Sequence, residues 1–207
     1  MSRRLLLLAA ALVALALPAR AQDFPARDIR FVCGFAPGGT CDLLSRFMAE
    51  HLAPIFGQRV VVENRTGASG NIAADLVAKS PPDGHTVLLA TMALYTVMPQ
   101  MPGMNLPFDV DRDLTPISNL ANITNVLVVA PQGGQLGPIR SVPQLIELAR
   151  ARPGGLTYAS AGNGGSQHLA AEMFKRMAGV DLLHVPYRGG APAIVDITAG
   201  RTDLMFG

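Results

Sequence analysis

The sequence predicts an α/β protein in which short parallel strands alternate with amphipathic helices. Short Val- and Leu-rich runs recur along the chain, and most are followed by a segment whose apolar residues repeat with the helical period. In two places a glycine-rich turn joins such a strand to such a helix. This alternation is typical of βαβ units built around a parallel sheet.

In the first half of the chain, β-rich runs bounded by turn residues predict three strands, and helical periodicity predicts the helices between them. The strands are predicted over 29–35, 59–65 and 85–91, and the helices over 40–57 and 69–80. Residues 96–116 are rich in proline and are predicted to be irregular. Two more strands are predicted over 114–121 and 125–132.

In the second half, helix punctuation supports the periodicity. Pro143 follows Ser141 in a first helical turn, and glycines end the helices. Helices are predicted over 141–155, 165–179 and 191–200, and strands over 156–160, 182–188 and 203–207. The strands are again each placed beside a helix, which extends the predicted α/β architecture to the whole chain.

The first 21 residues have the pattern of a secretory signal. Arg3 and Arg4 precede an apolar run over 5–17, and Ala19-Arg20-Ala21 forms a small-residue cleavage site, so we expect a cut after Ala21. The run is shorter than the roughly 20 residues that a membrane-spanning helix needs. We expect a first α/β domain over 22–122 and a second over 123–207.

The charge of the mature chain excludes some function classes. After the predicted cut it has 14 Lys and Arg against 15 Asp and Glu, a net charge of −1. It therefore has no basic footprint for nucleic acid and no polybasic membrane patch. Cys33 lies in a predicted strand and Cys41 in the next turn; we expect two small buried residues, with a bridge left open by an oxidising compartment.

The two glycine-rich turns are the candidate binding features. They are GFAPGGTCD, residues 34–42, and YASAGNGGSQHLAAE, residues 158–172. A helix N-terminus offers unpaired backbone N–H groups and partial positive charge, so it can hold a carboxylate without Lys or Arg. The alternative is that the glycines only turn the chain and that Asp42 is merely stabilised at a helix start. The functional interpretation of Asp42 is that it orders the loop or waters, or accepts a ligand amine.

No other chemical motif is strong. There is no P-loop, and the four His have no metal-ligand spacing, so we expect no metal and no cofactor. YASAG approximates the nucleophile elbow G-x-S-x-G but has Tyr158 in place of the first glycine. Because His184 and Asp196 follow Ser160 in the chain, a secreted α/β hydrolase stays as the alternative function.

The chain resembles the periplasmic solute receptors of tripartite tricarboxylate transporters, often called Bug receptors. The resemblance rests on IRFVCGFAPGGTCD, VVVENRTGASGNIAADLVAKSPPDGHTVLLAT, LPFDVDRDLTPIS, LTYASAGNGGSQHLAAEMFK and GVDLLHVPYRGGAPAIVDITAGRTDLMFG. It implies a two-domain Venus-flytrap fold of the type II periplasmic-binding class. It also implies that family chains continue past Gly207 to complete the first domain, so this chain is expected to be C-terminally truncated.

The resemblance further implies a function. It implies a monomeric, non-enzymatic periplasmic receptor that binds a small carboxylate and presents it to membrane transporter subunits; presentation to a signalling kinase is the other possibility. The ligand contacts that it implies come mainly from the two turns. They are Phe35, Ala36, Pro37, Gly38, Gly39, Thr40 and Asp42, then Ser160, Ala161, Gly162, Gly165, Ser166 and His168, and additionally Thr91, Ala93, Tyr187 and Asp203.

Overall fold

The computed structural model describes residues 24–131 and 137–207. Within these ranges, no helix combines the length and apolarity needed to cross a membrane. The predicted signal segment, with its cut after Ala21, lies outside the described residues.

The first sheet has three parallel strands, and each connection between strands contains a helix. The elements are β1 (Ile29–Cys33), α1 (Thr40–Phe56), β2 (Val60–Asn64), α2 (Asn71–Ala78) and β3 (Thr86–Leu89). The strand order is β2-β1-β3. The central strand β1 is the most buried of the three, because it has a neighbour on each edge and helices pack against it.

The region between the sheets is mostly irregular, as predicted. It contains α3 (Met92–Thr96), a 3₁₀ turn (Met98–Gln100) and α4 (Val110–Asp113). The Asp109 side chain caps α4 by accepting from two backbone N–H groups. The strand predicted over 114–121 is wrong: 115–124 is exposed and pairs with no strand of the described chain, and without a ladder partner its β-rich sequence does not form a strand.

The second sheet has four strands in the order β4-β7-β5-β6. Its elements are β4 (Leu127–Val129), α5 (Val142–Ala151), β5 (Thr157–Ser160), α6 (Ser166–Ala178), β6 (Leu183–Pro186), α7 (Gly190–Thr198) and β7 (Leu204–Phe206). All pairs are parallel except β4 with β7, which is antiparallel. Leu145, Leu156, Tyr158 and Leu204 are fully buried at the centre of its core.

A disulfide links Cys33 to Cys41, with their Cα atoms 6.0 Å apart. Our expectation of two unbridged buried cysteines is therefore wrong. The helix α1 folds back onto β1 immediately after the glycine turn, and this brings the first turn of the helix next to the end of the strand. The bridge closes the base of the first glycine turn.

Candidate ligand-binding site

The first turn follows β1 and is held in place by Asp42. Asp42 is 3% exposed, and its Oδ2 accepts a hydrogen bond from the Gly38 N–H at 2.9 Å and from Arg46 Nε at 3.0 Å. Gly38 has φ +79°, a conformation that favours glycine. The hydrogen bond from Arg46 lowers the pKa of Asp42, with burial acting in the opposite direction and the Gly38 N–H adding to the lowering.

Asp42 is therefore a residue that positions the loop. Its role as a ligand contact stays a prediction: Oδ2 is bonded to Gly38 and Arg46, and Oδ1 is buried without a hydrogen-bond partner among the described residues. The carboxylate keeps its negative charge inside the protein, and the outer surface of the turn consists of backbone and small side chains.

The second turn follows β5 and is held by side chains from the start of α6. Ala161 N–H donates to Gln167 Oε1 at 2.7 Å, and Gly164 N–H donates to His168 Nδ1 at 3.1 Å. The acceptor role of Nδ1 places the proton of a neutral His168 on Nε2. These two N–H groups are occupied within the turn. His168 was predicted to contact ligand, but its ring packs inward, and burial lowers its pKa.

Ser160 and His184 form a buried pair under the second turn. Ser160 is fully buried, its Oγ lies 2.7 Å from His184 Nε2, and it also contacts Gly162, donating to the carbonyl at 3.1 Å and accepting from the N–H at 3.2 Å. The His184 ring stacks on Tyr158 at a centroid distance of 4.7 Å. Burial lowers the pKa of His184 to about 4. Ser160 thus supports the turn from inside, and its hydroxyl is not available to a ligand.

The hydrolase alternative required Asp196 beside His184, and the structure places it elsewhere. Asp196 accepts from the Tyr187 hydroxyl at 2.6 Å and from Arg201 Nη1 at 2.5 Å. Ser160 and His184 therefore form a two-residue contact without the predicted third member. A buried serine without that orienting acid lacks the geometry of a nucleophile elbow.

A further glycine turn, between β6 and α7, faces the first one and was not among the predicted binding features. The N–H of Ala36 donates to the Arg188 carbonyl at 2.8 Å. A Cβ placed on Gly39 would lie 3.7 Å from the backbone nitrogens of both Gly190 and Ala191. These two residues begin α7, and Thr40 begins α1. The N-termini of two helices from different sheets therefore meet at Gly39.

Several backbone hydrogen-bond donors at this meeting point have no acceptor among the described residues. The backbone N–H groups of Thr40, Cys41, Gly190 and Ala191 have no acceptor among the described residues, as is usual for the first turn of a helix. In the sequence this junction is Arg188-Gly-Gly-Ala-Pro, a further strand–glycine–helix junction of the same kind as the two candidate turns. The second turn also reaches this point, because a Cβ on Gly190 would lie 3.9 Å from Gln167 Nε2.

The other face of the second turn meets the first half of the chain at Ser69. A Cβ on Gly162 would lie 2.7 Å from Ser69 Oγ, and Gly162 has φ +139°, so this position favours glycine. Ser69 itself has φ +56° and ψ 32°, an uncommon conformation for serine. Such residues tend to cluster at binding sites. Next to Ser69 is a gap of about 10 Å³ lined by residues that include Phe35 and Thr91.

The other residues that were predicted to contact ligand lie at different distances from the glycine turns. Thr91 lines the gap beside Phe35, and Ala93 is buried in the first turn of α3. The Tyr187 backbone N–H donates to the Ser160 carbonyl and its hydroxyl donates to Asp196; burial raises the pKa of this hydroxyl to about 12. Asp203 lies at the opposite end of β5, bonded to Thr157 at 2.7 Å and 2.8 Å, so it is not part of this site.

Comparison with known proteins decides the family. Residues 44–207 match the family model described as tripartite tricarboxylate transporter family receptor. The chain belongs to this receptor family. The resemblance to the Bug receptors and the predicted α/β fold of periplasmic binding proteins are both confirmed.

Two curated relatives show how far the likeness extends. A protein encoded in the tcbD-tcbE intergenic region of Pseudomonas sp. (strain P51) is 43% identical over 187 residues, which are 90% of this chain and 54% of that protein. Protein BugT of Bordetella pertussis (strain Tohama I) is 37% identical over 188 residues, 90% of this chain and 56% of BugT. The chain thus spans a little over half the length of these relatives.

Two solved structures share the fold of the receptor. An R. palustris protein solved with adipate has a TM-score of 0.83 and 39% identity, covering 89% of this chain and 60% of that one. MatC from Rhodopseudomonas palustris, solved with bound malate, has a TM-score of 0.75 and 28% identity, covering 88% of this chain and 60% of that one.

Proposed function

We propose that this receptor captures a small organic dicarboxylate between its two sheets and presents it to the membrane subunits of a transporter. The observation that carries the proposal is the meeting of α1 and α7 at Gly39, where unpaired N–H groups from two helix starts face one another. Two helix N-termini provide donors and positive potential for one carboxylate without any Lys or Arg.

A second carboxylate has a place at the start of α6. This helix begins at Ser166, and the backbone N–H groups of Ser166 and Gln167 have no acceptor in the described chain. Gln167 also approaches Gly190, which joins the two positions into one region. Two anion positions suit a dicarboxylate, and the proteins of similar fold solved with adipate and with malate bind acids of this class.

Binding requires the two halves to separate. At the junction the halves are in direct contact: a Cβ on Gly38 would lie 3.7 Å from the Cβ of Ala191, and a Cβ on Gly189 would lie 2.9 Å from the Ala36 nitrogen, so no diacid fits between them. Contacts such as Ala36 N–H to the Arg188 carbonyl must therefore open before the ligand enters and re-form around it. A hinge motion of this kind gives the membrane partner a ligand-dependent shape to recognise.

We further propose that the receptor acts as a periplasmic monomer without enzymatic activity. The buried Ser160 with a displaced Asp196 supports the last point. Purified protein should not hydrolyse p-nitrophenyl acetate above the rate of a Ser160→Ala variant. Affinity capture from membranes with the diacid present should recover transporter subunits; recovery of a signalling kinase instead would favour the sensor role.

The test of binding uses Gly39→Ala. Gly39 has φ −86°, which alanine adopts freely, and its Cβ would make only ordinary contacts while facing the N–H groups of α7. The variant should fold normally but lose affinity. Thermal melts with adipate, malate and the neutral adipamide provide the readout, since a ligand at a hundred times its Kd adds about 2.7 kcal/mol to the native state.

The expected outcome is a shift of the wild-type melt by a diacid and not by adipamide, with a much smaller shift for Gly39→Ala. Thr115→Ala, in an exposed segment with no strand partner, is the control and should respond as wild type. If Gly39→Ala responds as strongly as wild type, the site is not at the α1–α7 junction. If no diacid shifts the wild-type melt, the proposed ligand class is wrong.

A further inference from the structure

The second glycine turn contains an asparagine that is followed directly by glycine. The pair is Asn163-Gly164, and every other Asn of the chain precedes a residue with a side chain. Asparagine deamidates when the backbone nitrogen of the next residue attacks its side-chain carbonyl carbon. Glycine leaves that nitrogen unhindered because it has no Cβ. The pair therefore has the covalent arrangement that favours this reaction most.

The reacting side chain lies at the surface. Asn163 is exposed, and its side-chain amide has no hydrogen-bond partner among the described residues. The following Gly164 is buried and has φ +75°. An exposed amide without a protein partner can rotate towards the neighbouring nitrogen, and water is present beside it. The side chain of Asn163 is thus ready to react, and the reaction depends on the state of the Gly164 nitrogen.

His168 blocks that nitrogen in the folded protein. The Gly164 N–H donates to His168 Nδ1 at 3.1 Å. Because an amide nitrogen is planar, its new bond to carbon must form in the direction that this hydrogen now occupies. The hydrogen bond to His168 must therefore break before the ring can close. The His168 ring is itself held by stacking on His184, at a centroid distance of 4.4 Å.

We propose that Asn163 is a site of spontaneous deamidation that His168 protects in the folded receptor. When the turn opens, the Gly164 nitrogen loses its proton and bonds to the side-chain carbonyl carbon of Asn163. The side-chain nitrogen leaves with a proton as ammonia, and a succinimide ring remains. Water then adds to either carbonyl of this ring, breaks its C–N bond and leaves aspartate or isoaspartate. Nothing is oxidised or reduced, and water is the co-reactant.

The product places a negative charge close to the start of α6. Asn163 precedes Ser166, the first residue of this helix, by three positions. A carboxylate is favoured near a helix N-terminus, so the new group interacts with the same positive potential that a bound anion would use. This consequence rests on the proposed function, in which the start of α6 binds the second carboxylate. Deamidation then weakens binding of a diacid.

Ageing of purified protein in mildly alkaline buffer, both native and unfolded in urea, tests the reaction. Peptide mass spectrometry follows the replacement of NH₂ by OH, and labelling by an isoaspartyl methyltransferase detects isoaspartate. In urea, wild type should deamidate at Asn163 well before Asn119 and Asn122, which are exposed in the folded chain but are followed by Leu and Ile. In the native protein the reaction at Asn163 should be slower than in urea.

The variant His168→Ala tests the protection. In native protein it should deamidate about two- to tenfold faster than wild type, which is the factor that a typical net hydrogen bond gives. His51→Ala, which replaces an exposed histidine on α1, is the matched control and should age as wild type. If His168→Ala does not fold, His168→Phe takes its place, because it keeps an aromatic ring in the stack and has no acceptor atom.

Two results would overturn the proposal. Deamidation at Asn163 in urea that is no faster than at Asn119 and Asn122 would refute the site. Equal rates in native wild type and in the His168 variant would refute the protection. Neither measurement involves a ligand, so both are independent of the proposed function.

The effect on binding is measured separately. Asn163→Asp should show a smaller shift of the melt by adipate than Asn163→Gln, which keeps the amide. Equal shifts in the two variants would refute the effect of the new charge. If adipate and malate shift neither wild type nor the variants, the proposed function fails, whereas the rates of deamidation still decide whether Asn163 is the modified residue.

Discussion

Replacing Asp42 by alanine should destabilise the protein by about 2–4 kcal/mol. The buried carboxylate accepts from Gly38 N–H, and a hydrogen bond to a charged group contributes about 1.5–3 kcal/mol. Its second partner, Arg46, is 57% exposed, so that ion pair adds only about 0.2–1 kcal/mol. The effect should be a sizeable part of a total stability of about 5–15 kcal/mol.

Urea unfolding at pH 7, followed by circular dichroism, measures this loss. Glu50→Gln is the control, because Glu50 is an exposed acid on the same helix, and it should change stability by less than about 0.5 kcal/mol. A value for Asp42→Ala that is no larger than the control would refute the assignment of Asp42 as the residue that holds the first turn. Asp42→Asn, which keeps the shape, isolates the contribution of the charge.

The pH dependence of the stability of wild type and Asp42→Ala gives an independent check. The pKa of Asp42 is lowered on folding from its ordinary value of 3.8, chiefly by Arg46. The carboxylate therefore contributes stability above that ordinary value and loses it as the pH falls through the lower folded value. The difference in free energy of unfolding between wild type and Asp42→Ala should become smaller below pH 3.8. A difference that stays constant into strong acid would contradict this.

Three further outcomes are expected. Ser160→Ala should cost about 1–3 kcal/mol in urea unfolding, because it leaves the buried Nε2 of His184 without its partner; a neutral result would mean that the contact is not formed in solution. Burial lowers the pKa of the His184 imidazole from its ordinary value of 6.5 to about 4, and NMR should detect its titration near pH 4. The free energy of unfolding should therefore fall as the pH drops from 6.5 towards 4, and His184→Gln should reduce this pH dependence. The double variant Cys33→Ala/Cys41→Ala should have a free energy of unfolding about 2.5 kcal/mol lower than wild type, because without the bridge the unfolded chain regains the entropy of a loop of eight residues. Unfolding that is the same as wild type, with or without reductant, would show that the bridge does not form.

The fold was largely predictable from the sequence because its patterns are local. The run IRFVC is apolar except for Arg30, ends at glycine and is followed by a helical repeat, and it forms β1 before α1 as expected. The strand predicted over 114–121 failed because strand formation depends on a partner elsewhere in the chain, which the segment itself does not specify. The antiparallel pairing of β4 with β7 is non-local in the same way.

The positions of the two glycine turns were predictable from the sequence, and their role in ligand binding stays a prediction. The glycine turns lie at the carboxyl ends of their strands, as parallel topology requires. The direction in which a polar side chain points could not be read from the sequence. Asp42 and Ser160 face inward and hold the turns, while the junction at Gly190, which lies beside both turns, carries no polar side chain to indicate it.

The position of β7 in the second sheet has a consequence for how this half of the molecule assembles. β7 lies between β4 and β5, and β4 has no other strand neighbour among the described residues. Leu127 of β4 pairs with Phe206, so the partner of β4 lies at the far end of the second half of the sequence and β4 cannot pair until that segment is available. Until Leu204–Phe206 is available for pairing, β4 should therefore be open to proteases, and its protection during refolding should appear late and in one step.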